Sequence, residues 1–322
     1  MSEPEIVAGI LLLALTAYAV LAGADFGGGV WDLLASGPRA RDQRRAVAEA
    51  MGPVWEANHV WLIFMIVGLF TAFPSAFARL SLDLYVPFTI ALIGIVLRGA
   101  AFAFRAHGRE AAGDASAWGL AFGAASIVAP FSLAIGLAAV ASASADRWAT
   151  PFGTLLGVFA VSLCAYLAAT YLIVEAEGTA LESDFRRRAI ASGLASGVLA
   201  LACLGLAPGA APSFAHSLLG RGLPLLILAL VNGPVALVAV WRSRPRIARF
   251  AVAAQVTFVL WAWAVGQWPN LVPPDITIAD AAAPPSVLTA LLVVIGIGMA
   301  LLLPSLWLLF RVFKTRTPAA TY

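Results

Sequence analysis

The sequence predicts an all-α, polytopic membrane protein that forms one integral membrane domain over residues 1–322. Hydrophobic residues make up 61% of the 322 residues and charged residues only 11%. The mean hydropathy of +0.92 is far from that of a soluble domain. Long apolar runs are separated by short charged loops, and an open sheet cannot satisfy its backbone hydrogen bonds in lipid. The spanning segments are therefore predicted to be helices.

The apolar runs and the distribution of basic residues predict nine membrane-spanning helices. If the N-terminus lies outside, Arg79, Arg147 and Arg221 are also outside, and Arg98 lies within a span. All the other Lys and Arg residues then fall in inner loops or the C-terminal tail, so the positive-inside rule predicts an outer N-terminus and an inner C-terminus. The predicted spans are roughly 5–24, 52–74, 80–104, 117–141, 151–174, 188–208, 221–241, 247–268 and 286–310.

A short internal similarity favours two related halves. TAYAVLAGAD in the first predicted span and ATYLIVEAEG in the fifth each place an aromatic residue before an acid near the inner end. Weak repeats of this kind occur in membrane proteins built from duplicated bundles. The chain is therefore predicted to form two four-helix bundles, over residues 1–141 and 151–268, plus a peripheral final helix at 286–313.

Composition also excludes several classes of function. The basic residues are spread over several short loops, which argues against a nucleic-acid partner. Cys164 and Cys203 lie in apolar segments without CxxC or CxxCH spacing, so neither a disulfide, a zinc site nor covalent haem attachment is expected. The N-terminus has acids and no Lys or Arg before the first apolar run, so the first helix is predicted to be retained.

The segment from Met51 to Pro74 is the most informative part of the chain. It places Glu56 and His59 three residues apart, and hence on one helix face, inside a run apolar enough to cross a bilayer. An ionisable residue in a membrane helix points to a functional site, because exposure to lipid costs a few kcal/mol or more. The alternatives are that Glu56 reaches headgroups or the positive end of the helix dipole, and that His59 is a hydrogen-bonded packing residue.

Two further charged residues are predicted to reach the same depth. Asp25 lies near the inner end of the first predicted span, and Arg98 lies towards the inner end of the third. Opposite charges in lipid are best kept by pairing, which favours one shared polar site with Glu56 and His59. The alternatives are an Asx turn that ends the first helix at the glycines around Asp25, and an Arg98 side chain that snorkels to the inner headgroups.

Four motifs in order along the chain resemble subunit II of the cytochrome bd terminal oxidases. They are GADFGGGVWDLL after the first span, GPVWEANHVWLI with LFTAFP in the second, LYVPFTIALIGIVLRGAAFAFR in the third, and QWPNLVPPDITIADAAAPPSVL with LLLPSLWLLFRVFK at the end. The likeness covers most of the chain. One such motif would be a weak signal, whereas four in the same order form a strong one.

The resemblance implies a subunit of a bacterial cytoplasmic-membrane enzyme that oxidises quinol and reduces oxygen to water. The haems b and d and the quinol-oxidising loop would lie on subunit I, the main partner, and the complex could include a small single-span accessory subunit and a structural quinone. His59 is the one histidine inside a predicted span, too few for several haem irons. The chain alone is therefore expected to be redox-silent, with no covalently bound cofactor.

The resemblance also implies roles for individual residues. The family's acids associated with proton uptake map onto Asp25 and Glu56, Trp61 aligns near an oxygen route, and Arg98 and Trp55 fall where some members hold a quinone. Many members have Asp at the Glu56 position and Glu at the position of His59. A histidine could still relay protons, so Asp25, Glu56 and His59 are the predicted proton path.

Two other classes of function fit parts of the sequence. A proton-coupled secondary transporter or channel is suggested by the two halves and the buried acids. It would place its substrate on broken helices near mid-membrane, and the sequence shows no obvious interruption there. An assembly subunit without chemistry would use the polar residues only to hold helices together.

Overall fold

A computed structural model describes residues 2–107, 117–144 and 148–314. The description excludes the side chains of residues 51–57 and 106–107 and several side chains of the last helix. Twelve helices and two short strands lie in the described ranges. They are α1 (Glu3–Leu33), α2 (Ala40–Ala72), α3 (Pro74–Asp83), α4 (Tyr85–His107), α5 (Ala117–Ala141), α6 (Pro151–Glu175), α7 (Leu181–Ala210), α8 (Pro212–Gly220), α9 (Leu223–Trp241), α10 (Pro245–Gln267), β1 (Asn270–Val272), β2 (Ile276–Thr277), α11 (Ile278–Ala281) and α12 (Pro285–Lys314).

The all-α, polytopic membrane fold is confirmed. In the described ranges, eight helices are long and apolar enough to span a membrane. The count reaches nine if the helix pair Asn58–Ala72 and Pro74–Asp83, which is bent by 117°, forms one span. The break follows Phe73, where Pro74 begins a new helix because proline cannot continue the preceding hydrogen-bond ladder.

Several predicted boundaries were wrong. The first helix ends at Leu33 and not at residue 24, and the second begins at Ala40 and not at residue 52. The short helix α8 lies in a predicted outer loop. The short helix α3 fills another predicted loop and runs into the predicted third span, which begins as α4 at Tyr85 and not at residue 80. The residues at 40–50, many of which are polar, extend α2 beyond the apolar run. Hydropathy identifies only the apolar part of a helix, so it could not predict this extension.

Close packing explains why the glycines after Asp25 do not end α1. A Cβ atom at Gly27 would lie 1.9 Å from the backbone oxygen of Cys164 on α6, and one at Gly29 would lie 2.0 Å from Ser126 Oγ on α5. Small residues let helices approach closely in membranes. The glycine run therefore serves the contacts of α1 with α5 and α6, and it remains helical.

Helix α1 lies at the centre of the packing. It contacts α2, α5, α6 and α10 directly, α4 packs on α5, and α6 packs on α7. The largest apolar cluster joins α1 to α6, α7, α9 and α10, with Tyr166, Leu172 and Phe185 buried in it. The neighbouring helices α1, α2, α4 and α5, and then α6, α7, α9 and α10, follow the order of the predicted halves, which stay a prediction.

The two ends of the molecule are closed by different contacts. At one end, β1 and β2 pair antiparallel with Asn270 opposite Thr277, and the backbone of Ala283 donates to the carbonyl of Ala72 at 2.8 Å. At the other end, the Arg39 guanidinium binds Asp184 with contacts of 2.6 and 2.9 Å. The contacts of Arg39 with Asp184 connect the loop after α1 to the start of α7.

The α1–α6 contact makes a testable prediction about stability. Gly27→Ala is expected to destabilise the protein by roughly 1–3 kcal/mol, because the added methyl group forces the two helices apart. Thermal unfolding of the purified protein in detergent measures the effect. Gly9→Ala is the matched control in the same helix, since no atom lies within 4 Å of a Cβ there. Equal melting temperatures for the two variants would contradict the packing role.

Candidate functional site

The centre of the site is a buried ion pair between α1 and α4. Arg98 Nη1 donates to Asp25 Oδ2 and Arg98 Nη2 donates to Asp25 Oδ1, both at 2.7 Å. Arg98 Nη2 also donates to the backbone oxygen of Asp25 at 3.0 Å. Each residue is only 3% exposed. Bidentate arginine–carboxylate pairs of this kind are strong and fix the orientation of both groups.

The ion pair settles the two alternatives drawn from the sequence. Asp25 does not end the helix in an Asx turn, because α1 continues to Leu33. Arg98 does not snorkel to headgroups, because its guanidinium turns inward to a carboxylate. Both outcomes have the same reason. Inside an apolar bundle, two opposite charges are stabilised better by pairing with each other than by each side chain extending separately to water.

The rest of the Arg98 guanidinium is held by α5. Arg98 Nε donates to Ser126 Oγ at 2.8 Å, and Ser126 Oγ donates in turn to the carbonyl of Phe122 at 2.7 Å. The Phe122 ring centre lies 4.5 Å from Arg98 Cζ, and the Phe26 ring centre lies 5.4 Å away. Aromatic faces stabilise a desolvated cation, so α5 and Phe26 add to the stabilisation that Asp25 gives the arginine charge.

Helix α2 adds an amide and an imidazole to the same centre. Asn58 Nδ2 donates to Asp25 Oδ2 at 3.3 Å, while Asn58 Oδ1 is buried and has no hydrogen-bond partner among the described side chains. A cavity of about 10 Å³ adjoins these groups, close to the smallest that holds one water molecule. Its polar lining comes from Tyr18, Asp25, Asn58, His59 and Arg98.

The structure thus brings together three of the predicted site residues. Asp25, His59 and Arg98 line one cavity from three different helices, as their common depth predicted. Trp61 is partly buried and packs beside the cavity in an apolar cluster with Tyr18, Phe26 and Cys164. A role for Trp61 in oxygen access and a quinone contact at Arg98 stay predictions.

The side chains of Glu56 and Trp55 lie outside the described residues. The helix that carries them is described, and it begins at Ala40. Glu56 is therefore not at the positive end of a helix dipole, and the interpretation based on that position was wrong. By helical spacing Glu56 shares a face with His59, so it stays a predicted member of the site.

Sequence reasoning missed a second ion pair between the same helices. Arg105 donates to both carboxylate oxygens of Asp32 at 3.0 and 3.1 Å. Asp32 follows Asp25 by seven residues, and Arg105 follows Arg98 by seven, so the two pairs require α1 and α4 to run in the same direction. The equal seven-residue spacing of the two acids and of the two arginines was the feature of the sequence that could have predicted the second pair. Tyr18 and Ser126, which also contribute to the site, gave no comparable signal in the sequence.

Metal-ligating residues are not clustered in the parts of the chain that the structure describes. Within those ranges, no group of three or more His, Cys, Asp or Glu side chains could hold a metal ion. The cavity beside His59, at about 10 Å³, is also far too small for a haem macrocycle. The site described here does not fit a resident haem.

The fold and the buried charges define a multi-pass α-helical membrane protein with a polar site inside its bundle. The chain belongs to the cytochrome bd terminal oxidase subunit II family, whose profile matches residues 3–313. By this membership it is one subunit of an oxidoreductase complex. The resemblance found in the sequence motifs is confirmed.

Three curated relatives are similar to segments of different length in this chain. The chain is 41% identical over 63 residues to cytochrome bd ubiquinol oxidase subunit 2 of Bacillus subtilis (strain 168), covering 20% of this chain and 19% of the relative. It is 20% identical over 320 residues to a putative cytochrome bd menaquinol oxidase subunit II of the same strain, covering 92% and 91%. It is 28% identical over 214 residues to cytochrome bd-I ubiquinol oxidase subunit 2 of Escherichia coli (strain K12), covering 62% and 54%.

The matched segment therefore spans less than two thirds of two of these three curated relatives and about nine tenths of the third. The fold is also similar to a chain in the structure of bd oxidase from Geobacillus thermodenitrificans. That match has a TM-score of 0.84 at 24% identity and covers 98% of this chain and 100% of the other. The two chains therefore share a fold although their sequence identity is low.

The buried pair makes a prediction that separates charge balance from packing. Asp25→Leu should cost roughly 3–5 kcal/mol of stability, because it leaves the Arg98 charge buried and unpaired. The double variant Asp25→Leu/Arg98→Met should recover most of that loss, since it removes both charges. Thermal unfolding in detergent measures both variants. A double variant as unstable as the sum of the two single variants would show that the pair contributes little as a pair.

Proposed function

We propose that this chain is the non-haem subunit of an oxidase that oxidises quinol and reduces oxygen to water. In this proposal it packs against a haem-bearing subunit I in a bacterial cytoplasmic membrane and conducts protons from the cytoplasmic side. Family membership supports the oxidase role. The single observation that carries the proton-conducting role is the cavity lined by Asp25, Asn58, His59 and Arg98 inside an otherwise apolar bundle.

The distribution of basic residues supports the direction of proton movement. Most arginines lie at the end of the bundle that includes the start of α2, the start of α7 and the turn between α9 and α10. The positive-inside rule makes that end cytoplasmic. Haems b and d on subunit I would supply the oxygen-reducing chemistry, which consumes protons. Asp25 on α1 and Arg98 on α4 lie in the cytoplasmic halves of their helices, and Asn58 and His59 lie near the middle of α2. In this proposal the protons enter from the cytoplasmic side.

The geometry supports different roles for the three predicted proton-path residues. Asp25 is held by a bidentate guanidinium and by Asn58, so it serves as a fixed charge that orients the site. His59 is only partly buried and lines the cavity. An imidazole can both accept and donate a proton. His59 and, by helical spacing, Glu56 are therefore the groups that carry protons, with one water in the cavity as a link.

The remaining expectations concern small molecules and partners. Trp61 lies in an apolar cluster next to the cavity, which suits a route for oxygen. The donors of Arg98 are turned to Asp25 and Ser126, so a quinone contact in this region would fall mainly to Trp55. A single-span accessory subunit and a structural quinone belong to the same proposal.

A proton-coupled transporter or channel is the second candidate, because the described ranges include a broken span. The break lies between α2 and α3, after Phe73. By helical rise it is about 20 Å along the helix from Asn58, and Phe73 is buried against the outer hairpin and α1. A transporter would place the break at its substrate site near mid-membrane. The observed position favours the oxidase.

Purification distinguishes these two functions. The oxidase predicts that the chain, isolated in mild detergent from its native membrane, co-purifies with a larger membrane subunit and that the complex has haem absorption bands. An optical difference spectrum and a denaturing gel are sufficient. A colourless preparation that contains only copies of this chain would contradict the oxidase and favour transport.

The proton path is tested on the assembled complex. Glu56→Gln should lower quinol-dependent oxygen consumption by at least about tenfold, because a positioned proton carrier is lost, while the haem spectrum is retained. Glu49→Gln is the matched control, since Glu49 is an exposed acid on the same helix. Unchanged turnover of Glu56→Gln with a reduced yield of complex would instead support a subunit that only assists assembly.

A further inference from the structure

The turn between α9 and α10 carries a dense basic patch that the proposed function does not use. Four arginines fall within eight residues, from the end of α9 to the second turn of α10. Arg242 and Arg244 are exposed, and neither makes an ion pair within the described part of the chain. We call this the α9–α10 patch; its arginines are Arg242, Arg244, Arg246 and Arg249.

Nearby acids compensate only part of this charge. Glu175 is the last residue of α6 and Glu177 follows it by two residues, and both are exposed. Glu177 lies 3.8 Å from Arg246, whose side chain is 79% exposed. Arg249 packs over the Tyr171 ring at 5.5 Å. Four cations against two carboxylates leave the patch positive, with its least compensated charges at Arg242 and Arg244.

Large aromatic side chains flank the patch on both sides. Trp241, the last residue of α9, and Phe250, near the start of α10, are each 70% exposed. Tryptophan at the end of a spanning helix marks the depth of lipid headgroups, and arginines at that depth attract anionic lipids. A polar protein partner would match the arginines but not the two exposed aromatic side chains.

We propose that the α9–α10 patch binds a phospholipid with an anionic headgroup. The Arg242 and Arg244 guanidinium groups would hold the phosphate, because guanidinium matches phosphate in a bidentate manner. Trp241 and Phe250 would lie against the upper part of the acyl chains. This site lies on α9 and α10, away from the cavity between α1, α2 and α4, and so goes beyond the proposed function.

The test uses the intact complex and phosphatidylglycerol as the probe. Complex stripped of lipid in detergent is titrated with phosphatidylglycerol or phosphatidylcholine, and native mass spectrometry counts the bound molecules. Arg242→Gln/Arg244→Gln should lower phosphatidylglycerol retention at least fivefold and leave phosphatidylcholine binding unchanged. Trp241→Leu should weaken retention in the same direction. The wild-type rate of oxygen consumption should be kept, so failure of this site is distinguishable from failure of the proton path.

Arg45→Gln/Arg187→Gln is the matched control, because it removes two exposed arginines from the same end of the molecule and leaves the α9–α10 patch intact. Equal loss of phosphatidylglycerol in both double variants would show a general charge effect and overturn the proposal. Unchanged retention in Arg242→Gln/Arg244→Gln would also overturn it. Loss of a polypeptide from the complex with lipid retained would assign the patch to a protein partner instead.

Discussion

The structure depends on one interaction, the buried ion pair of Asp25 and Arg98. Two charges inside an apolar bundle are tolerated only when they meet, because each alone in lipid costs several kcal/mol. Their bidentate contact fixes the position of α4 against α1. The second pair, Asp32 with Arg105, repeats the same contact two helical turns further along. Together they set both the direction and the register of the two helices.

Small residues make the position of α1 feasible. The glycines that follow Asp25 allow α5 and α6 to approach α1 more closely than any side chain would permit. This approach brings Ser126 and Phe122 of α5 into contact with Arg98. The glycine run and the ion pair thus act together. The close backbone contacts of α1 with α5 and α6 place the helices near enough for Arg98 to bind Asp25 and Ser126.

A fixed charge beside a titratable group is a useful arrangement for proton transfer. Asp25 and Arg98 hold each other rigidly, and His59 faces the same small cavity from α2. The fixed dipole of the ion pair favours one orientation of a nearby water molecule and of the imidazole. A carboxylate free to rotate would not impose a single orientation. In the proposed proton path, the contacts that stabilise the bundle would also position the proton-carrying groups.

The sequence by itself determined the class of the protein, most of its helices and three of the residues that line the buried cavity, Asp25, His59 and Arg98. Charge in lipid is so costly that Asp25, Glu56, His59 and Arg98 could be singled out from hydropathy alone, and motif order gave the family. The sequence did not determine that α1 continues through its glycines, that α2 starts at Ala40, or that Asp32 pairs with Arg105. Those features arise where helices touch. Local propensity reports what a segment does in isolation, whereas a glycine that breaks a lone helix allows close packing when a neighbouring backbone lies against it.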